Sequence, residues 1–168
     1  MKVGVISDTH GLLRPEALAA LEGCALIVHA GDIGKPQVLE ALAALAPLAP
    51  LRVVRGNNDV ALPWAQGLPD VDRFEVQGWQ VLLVHDLADV PAHLDEGVQW
   101  VITGHSHKPL IEQRDGCLYL NPGSAGPRRF SLPVTLALIE VGADGVMPEI
   151  IPLLTPASIK AGQASKSS

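Results

Sequence analysis

Apolar residues in this chain come in short runs, each closed by glycine, proline or a polar cluster. Residues 2–6 hold Val3, Val5 and Ile6 and predict a buried strand. Residues 15–21 open on Pro15 and continue with Glu, Ala and Leu, which predicts a helix with proline in its first turn. Residues 25–29 predict a second buried strand, 36–46 a second proline-started helix and 51–54 a third strand. The order β-α-β-α-β predicts a parallel sheet with right-handed crossovers. The later pattern is different. Residues 73–76 and 80–84 flank Gln77-Gly78-Trp79 as a hairpin, 88–96 read as a helix, and 99–103 as a strand. Residues 110–114 and 117–120 flank Asp115-Gly116, a strong hairpin-turn signal. Residues 133–141 and 146–153 flank Gly142-Ala143-Asp144-Gly145 as a last hairpin. The whole reads as an α/β layered domain with a mixed sheet or two packed sheets. With no repeat and no interior linker, residues 1–157 read as one domain and 158–168 as a flexible tail.

A length of 168 residues suits one domain with its own core. A hydrophobic fraction of 48% against 18% charged excludes a disordered chain. Aromatics are only 4%, so Leu, Val, Ile and Ala must fill the core. Acids outnumber bases 18 to 12, a net charge of −6. That is a poor footprint for a nucleic-acid backbone or an anionic membrane, so neither is expected as a stable partner. Cys24 and Cys117 are too few for a disulfide scaffold or a cysteine-type zinc site, and fit a reducing, cytoplasmic setting. Residues 41–51, the longest low-polarity stretch, hold two prolines and are too short to span a bilayer. The sequence sets no oligomeric state.

The candidate chemistry lies just after the predicted strands. There stand Ser7-Asp8-Thr9-His10-Gly11, Gly31-Asp32, Arg55-Gly56-Asn57-Asn58-Asp59, His85-Asp86 and Gly104-His105-Ser106-His107. Parallel strands present their C-terminal ends at one edge, where ligands bind, so these segments can converge. Their carboxylates, imidazoles and amide suit divalent metals of borderline or hard character. Taken singly, each has a plainer reading. Asp8 alone is a turn or helix cap, Asn57-Asn58-Asp59 a turn, and His85 a strand-end histidine. His29 and His93 join no such group and read as a strand-end and a helix-surface residue. The combination points to a metal centre.

Taken together, Asp8-Thr9-His10, Gly31-Asp32, Gly56-Asn57-Asn58-Asp59, His85 and Gly104-His105-Ser106-His107 resemble, in order, the motif set of the calcineurin-like metallophosphoesterases. The small single-domain bacterial and archaeal phosphodiesterases among them are the most similar. Asn121-Pro122-Gly123-Ser124 matches a turn common in those small members. The resemblance implies a four-layer α/β/β/α sandwich of two mixed β-sheets flanked by helices. It also implies two divalent ions per chain, Mn2+ first, with Ni2+, Fe2+, Co2+ or Zn2+ as alternatives. Asp8, His10, Asp32 and His107 would hold one ion; Asp32, Asn57, His85 and His105 would hold the other. Asp8, His10, Asp32 and Asn57 would form the catalytic set. A hydroxide carried by the two ions would attack the phosphorus of a small-molecule phosphodiester. A phosphomonoesterase, or another small phosphoester hydrolase, is the alternative enzyme. A non-catalytic scaffold binding protein partners, as the same fold serves in the retromer, is the alternative class.

Two positions depart from the family pattern. Asn58 stands where larger members often have a histidine that protonates the leaving oxygen, and an amide cannot do so at neutral pH. This predicts a preference for good leaving groups, or a proton taken from water. Asp86 stands where the family usually has glycine, and could accept a hydrogen from a ligand histidine or face solvent. Asn58, Arg55 and Arg128, with Arg129 beside it, are candidate substrate contacts. Asp59 and Asp86 are candidates for orienting the ligands.

Overall fold

A computed structural model of the chain describes residues 1–45, 50–129 and 131–154. The tail expected over 158–168 and the end of the helix expected over 36–46 lie outside them. The elements are β1 Lys2–Ile6, α1 Pro15–Leu21, β2 Leu26–His29, α2 Pro36–Leu45, β3 Leu51–Val53, β4 Val71–Val76, β5 Trp79–Val84, β6 Val98–Ile102, β7 Leu110–Arg114, β8 Cys117–Asn121, β9 Thr135–Gly142 and β10 Gly145–Pro152. They form two five-stranded sheets, ordered β10-β9-β1-β2-β3 and β4-β5-β6-β8-β7. β1, β2 and β3 run parallel, as do β5, β6 and β8, and the remaining strands add on antiparallel. Both sheets are therefore mixed.

Alternation along each strand sorts its side chains to two faces. Val3, Val5, Leu26 and Val28 meet Val81, Leu83, Trp100, Ile102, Leu118 and Leu120 between the sheets. The opposite face of the first sheet carries Ile6 and Ile27 against Ala17 and Leu21 of α1 and Val38 and Leu42 of α2. The i, i+4 spacing of those helical pairs gives each short helix one buried stripe. Burying each such leucine contributes about 1.5–3 kcal/mol. Gly4 faces α1, where a Cβ would stand 3.1 Å from Cys24 Sγ; its bareness lets the helix lie close to the sheet.

The helix expected over 88–96 is absent. Leu87–Asp89 form a 3-10 turn, and residues 90–97 are irregular. Pro91 has no N–H to give a helix and biases Val90 away from helical backbone. Val90 and Leu94 still pack on the outer face of the second sheet against Leu82, Val101 and Cys117. Their i, i+4 spacing imitates a helix, while the chain runs as a strap. His93 is therefore an exposed residue of that strap, not of a helix. Among the described residues no helix is long and apolar enough to cross a membrane.

Candidate metal centre

The parallel strands of each sheet end level. Ile6 pairs with His29 and His29 with Val53 in the first sheet; Leu83 pairs with Ile102 and Ile102 with Leu120 in the second. The loops that follow them meet along one seam. Their backbone is unusual there. Seven non-glycine residues have left-handed backbone among the described residues, and five of them are Asp8, His10, Asp32, His105 and His107. Such conformations cost about 1–3 kcal/mol each and persist only where the surroundings impose them. Here Asp8 N donates to Gly31 O at 3.0 Å, His10 N to Asp32 O at 3.0 Å, and Ser124 Oγ to Asp8 O at 3.0 Å.

Two groups of candidate ligands result. Asp8, His10 and His107 form one, and Asp32, His85 and His105 the other, with ligand atoms in each within 4.8 Å of one another. Asp8 Oδ1 faces His107 Nε2 at 3.3 Å and the Nε2 atoms of His10 and His85 at 3.9 Å each. Asp32 Oδ2 lies 3.8 Å from His10 Nε2 and 3.4 Å from His85 Nε2, between the groups. Asn57 Oδ1 completes the second group, 3.1 Å from both His85 Nε2 and His105 Nδ1. Asp8 Oδ1 and His10 Nε2 are buried with no hydrogen-bond partner. Leaving such atoms unsatisfied is costly. A buried carboxylate oxygen ringed by imidazole nitrogens at these distances fits a cation.

The neighbours aim these groups. Asp8 Oδ2 is occupied by Ser7 Oγ at 2.6 Å and by His105 N at 3.0 Å, which turns Oδ1 to the seam. Asn58 clamps Asp32, its N donating to Oδ1 at 2.9 Å and its Nδ2 to Oδ2 at 3.2 Å. His85 Nδ1 donates to the Ala30 carbonyl at 2.6 Å, which leaves Nε2 free of hydrogen in the neutral ring and directed at Asp32 and Asn57. Gly56 admits the closest approach, since a Cβ there would stand 2.7 Å from Asp32 Cγ.

The charges follow from these contacts. Burial pushes the Asp8 carboxyl up, but the bonds with His107 and Ser7 outweigh it and hold Asp8 below the usual carboxylate range. Asp32 is likewise held low, burial being outweighed by His85 and the Asn58 N–H. Burial pushes His10 down, only partly offset by Asp32 and Asp8. Burial also opposes charge on His85, yet Asp32 and the Ala30 carbonyl raise it above the ordinary value.

The other residues singled out from the sequence differ in how they relate to the site. Arg55 is committed to Asp70, with Nε to Oδ1 at 2.8 Å and Nη2 to Oδ2 at 3.0 Å. Asp59 touches no ligand side chain. It accepts from the N–H groups of Ile33, Gly34 and Gly56 and so joins two of the loops. Asp86 lies beside His105, with Oδ2 3.5 Å from Nε2. Arg128 and Arg129 are exposed on the loop after Ser124, and the Arg129 charge reaches His10.

His29, read as an ordinary strand end, is fully buried under the site. Gly31 N donates to its Nδ1 at 3.1 Å, so its Nε2 carries the hydrogen and donates to Thr9 Oγ1 at 3.0 Å. Thr9 Oγ1 in turn donates to Ile33 O at 2.9 Å. Asn121 binds Gly104 O at 2.8 Å and Ser106 Oγ at 3.1 Å, bracing the loop of His105 and His107. For His29 the sequence hint is polarity at a position where a strand end must be buried; for Asn121 it is the Asn121-Pro122-Gly123-Ser124 turn.

The model of the calcineurin-like phosphoesterase superfamily domain matches residues 1–144. A probable metallophosphoesterase of Methanothermobacter thermautotrophicus is 34% identical over 151 residues, covering 82% of this chain and 85% of that one. One from Mycoplasma pneumoniae is 30% identical, covering 73% and 78%. Among solved structures, Vps29 of Chaetomium thermophilum superposes with a TM-score of 0.70 at 17% identity, covering 93% and 98%. The phosphoesterase YfcE of E. coli gives 0.67 at 23%, covering 92% and 100%. At such identities the structures show a shared fold.

Proposed function

This chain belongs to the calcineurin-like phosphoesterase superfamily, and on that premise we propose that it is a metal-dependent phosphodiesterase acting on small-molecule esters. The observation that carries the reading is the pair of orphaned atoms, Asp8 Oδ1 and His10 Nε2, at the meeting of two ligand groups. Asp8, His10 and His107 would hold one divalent cation, and Asn57, His85 and His105 the other, with Asp32 shared. Mn2+ is the first choice, and Fe2+, Co2+, Ni2+ and Zn2+ suit the same mixed ligands. When bound, such a pair supplies positive charge for the phosphoryl oxygens and acidifies a water.

The chain's own residues do the rest. Asn58 and Ser7 hold the two carboxylates in fixed orientations, so little reorganisation is needed when substrate arrives. Asn58 offers no proton for the leaving oxygen, so the substrate must carry a good leaving group or draw the proton from water. The lining beside the second group supports a diester over a monoester. A cavity of about 400 Å³ opens there, walled by Asn57, His85, Val60, Val71, Asp70, Asp86 and Asp89 with Arg55. Arg55 is paired with Asp70, which leaves the Asp86 and Asp89 carboxylates without a guanidinium partner. A monoester dianion meets more repulsion there than a diester monoanion.

The test is hydrolysis of an activated aryl phosphodiester by chelated protein with each metal added back, beside the corresponding monoester. Activity should return with metal and favour the diester. Asp32→Ala should abolish it, and Asp115→Ala, in the β7–β8 turn, should leave it intact. A faster monoester would overturn the diester assignment, and no turnover with any metal would overturn the enzymatic reading.

A further inference from the structure

The candidate ligand histidines are not equally held. The side chains of His10, His85 and His107 are 14%, 6% and 8% exposed, against 44% for His105. His85 also has the Ala30 carbonyl behind it. His105 has little packing to fix its ring, so something else must do so.

Asp86 is placed for that task. Its Oδ1 accepts from Ala88 N at 3.0 Å and caps the 3-10 turn of Leu87–Asp89, which orients the carboxylate. Its Oδ2 lies 3.5 Å from His105 Nε2. The other ring nitrogen, Nδ1, is 3.1 Å from Asn57 Oδ1, the same oxygen that His85 Nε2 approaches at 3.1 Å. His105 thus turns one nitrogen to the second ligand group and the other to a carboxylate. An ionised carboxylate offers only lone pairs, so it favours hydrogen on Nε2. The lone pair on Nδ1 then faces Asn57, His85 and Asp32.

We propose that Asp86 is a positioning residue that fixes the ring orientation and tautomer of His105 and thereby sets the affinity of the second cation site. The proposal rests on the two-site reading above. A partner of this kind behind a ligand imidazole typically changes metal affinity 10–100-fold. Asp86 would act through His105 alone, so the first site should not respond to it.

The experiment titrates Mn2+ into chelated, full-length protein by calorimetry, for the wild type, Asp86→Ser and Asp86→Asn. Serine keeps a cap for Ala88 N but is too short to reach His105. Asparagine can give its single oxygen to Ala88 N or to the ring, not to both. In Asp86→Ser the second Kd should rise 10–100-fold with the first unchanged, and Asp86→Asn should fall between. Unchanged affinity at both sites in Asp86→Ser, or an equal loss at both, would overturn the proposal. A wild type that binds fewer than two ions would overturn the two-site reading itself, and that result appears before any substitution is made.

Discussion

His29 ties proton uptake to folding. It is fully buried, and that burial pushes its pKa from the ordinary 6.5 down to about 4, partly countered by the nearby Asp8 and Asp59 carboxylates. Its two nitrogens are already used, one accepting from Gly31 N and the other donating to Thr9. In the folded chain the ring stays neutral down to about pH 4, whereas the unfolded chain takes up a proton once the pH drops below 6.5. Stability rises with pH wherever the unfolded state binds more protons. The contribution of His29 is therefore complete above pH 6.5, is lost between 6.5 and 4, and changes no further below that. At about 1.4 kcal/mol per pKa unit, the loss across this window is about 3 kcal/mol. Urea unfolding at pH 7, 6, 5 and 4, with chelator throughout, measures it against His29→Gln, which keeps a donor and an acceptor but does not titrate. Contributions from the depressed Asp8 and Asp32 appear in both proteins and cancel in the difference. The wild type should lose about 3 kcal/mol more than the variant between pH 7 and 4. Parallel curves for the two proteins would refute the reasoning.

Gly56→Ala should drive a Cβ against Asp32 and displace the shared ligand, lowering metal affinity at both sites in a Mn2+ titration while the far-UV spectrum stays native. Asp59→Ala strands the N–H groups of Ile33, Gly34 and Gly56 and should cost on the order of 3 kcal/mol in urea unfolding, since each buried unpaired group costs about 1–3 kcal/mol. Asn58→His should speed hydrolysis of esters with poor alkoxide leaving groups by at least about 10²-fold, the low end of the ~10²–10⁴ range of general acid help. No gain on such esters would remove Asn58 from the account of leaving-group preference.

The motifs of the candidate ligands were readable because each is a few residues long and sits where a strand ends beside glycine. Most strands were readable from their runs of Val, Ile and Leu. What escaped depends on partners distant along the chain. His29 looks like any strand-end histidine until Thr9 and Gly31 close around it. Arg55 looks available for a phosphate until Asp70 takes both arms of its fork. Asp59 gives a turn signal, and only the fold shows that its carboxylate serves the backbone of a separate loop. The misread helix over 88–96 is local instead. Val90 and Leu94 have helical spacing, but Pro91 between them removes a donor and turns Val90 away from helical backbone.

β9 lies next to β1 inside the first sheet, although almost the whole chain separates them. During synthesis, β1 must wait for β9 before its edge on that side is covered. Asp8 and Asp32 are synthesised before His105 and His107, so a growing chain displays the two candidate carboxylates before the candidate imidazoles of the second sheet, and the two groups assemble only once both sheets are in place.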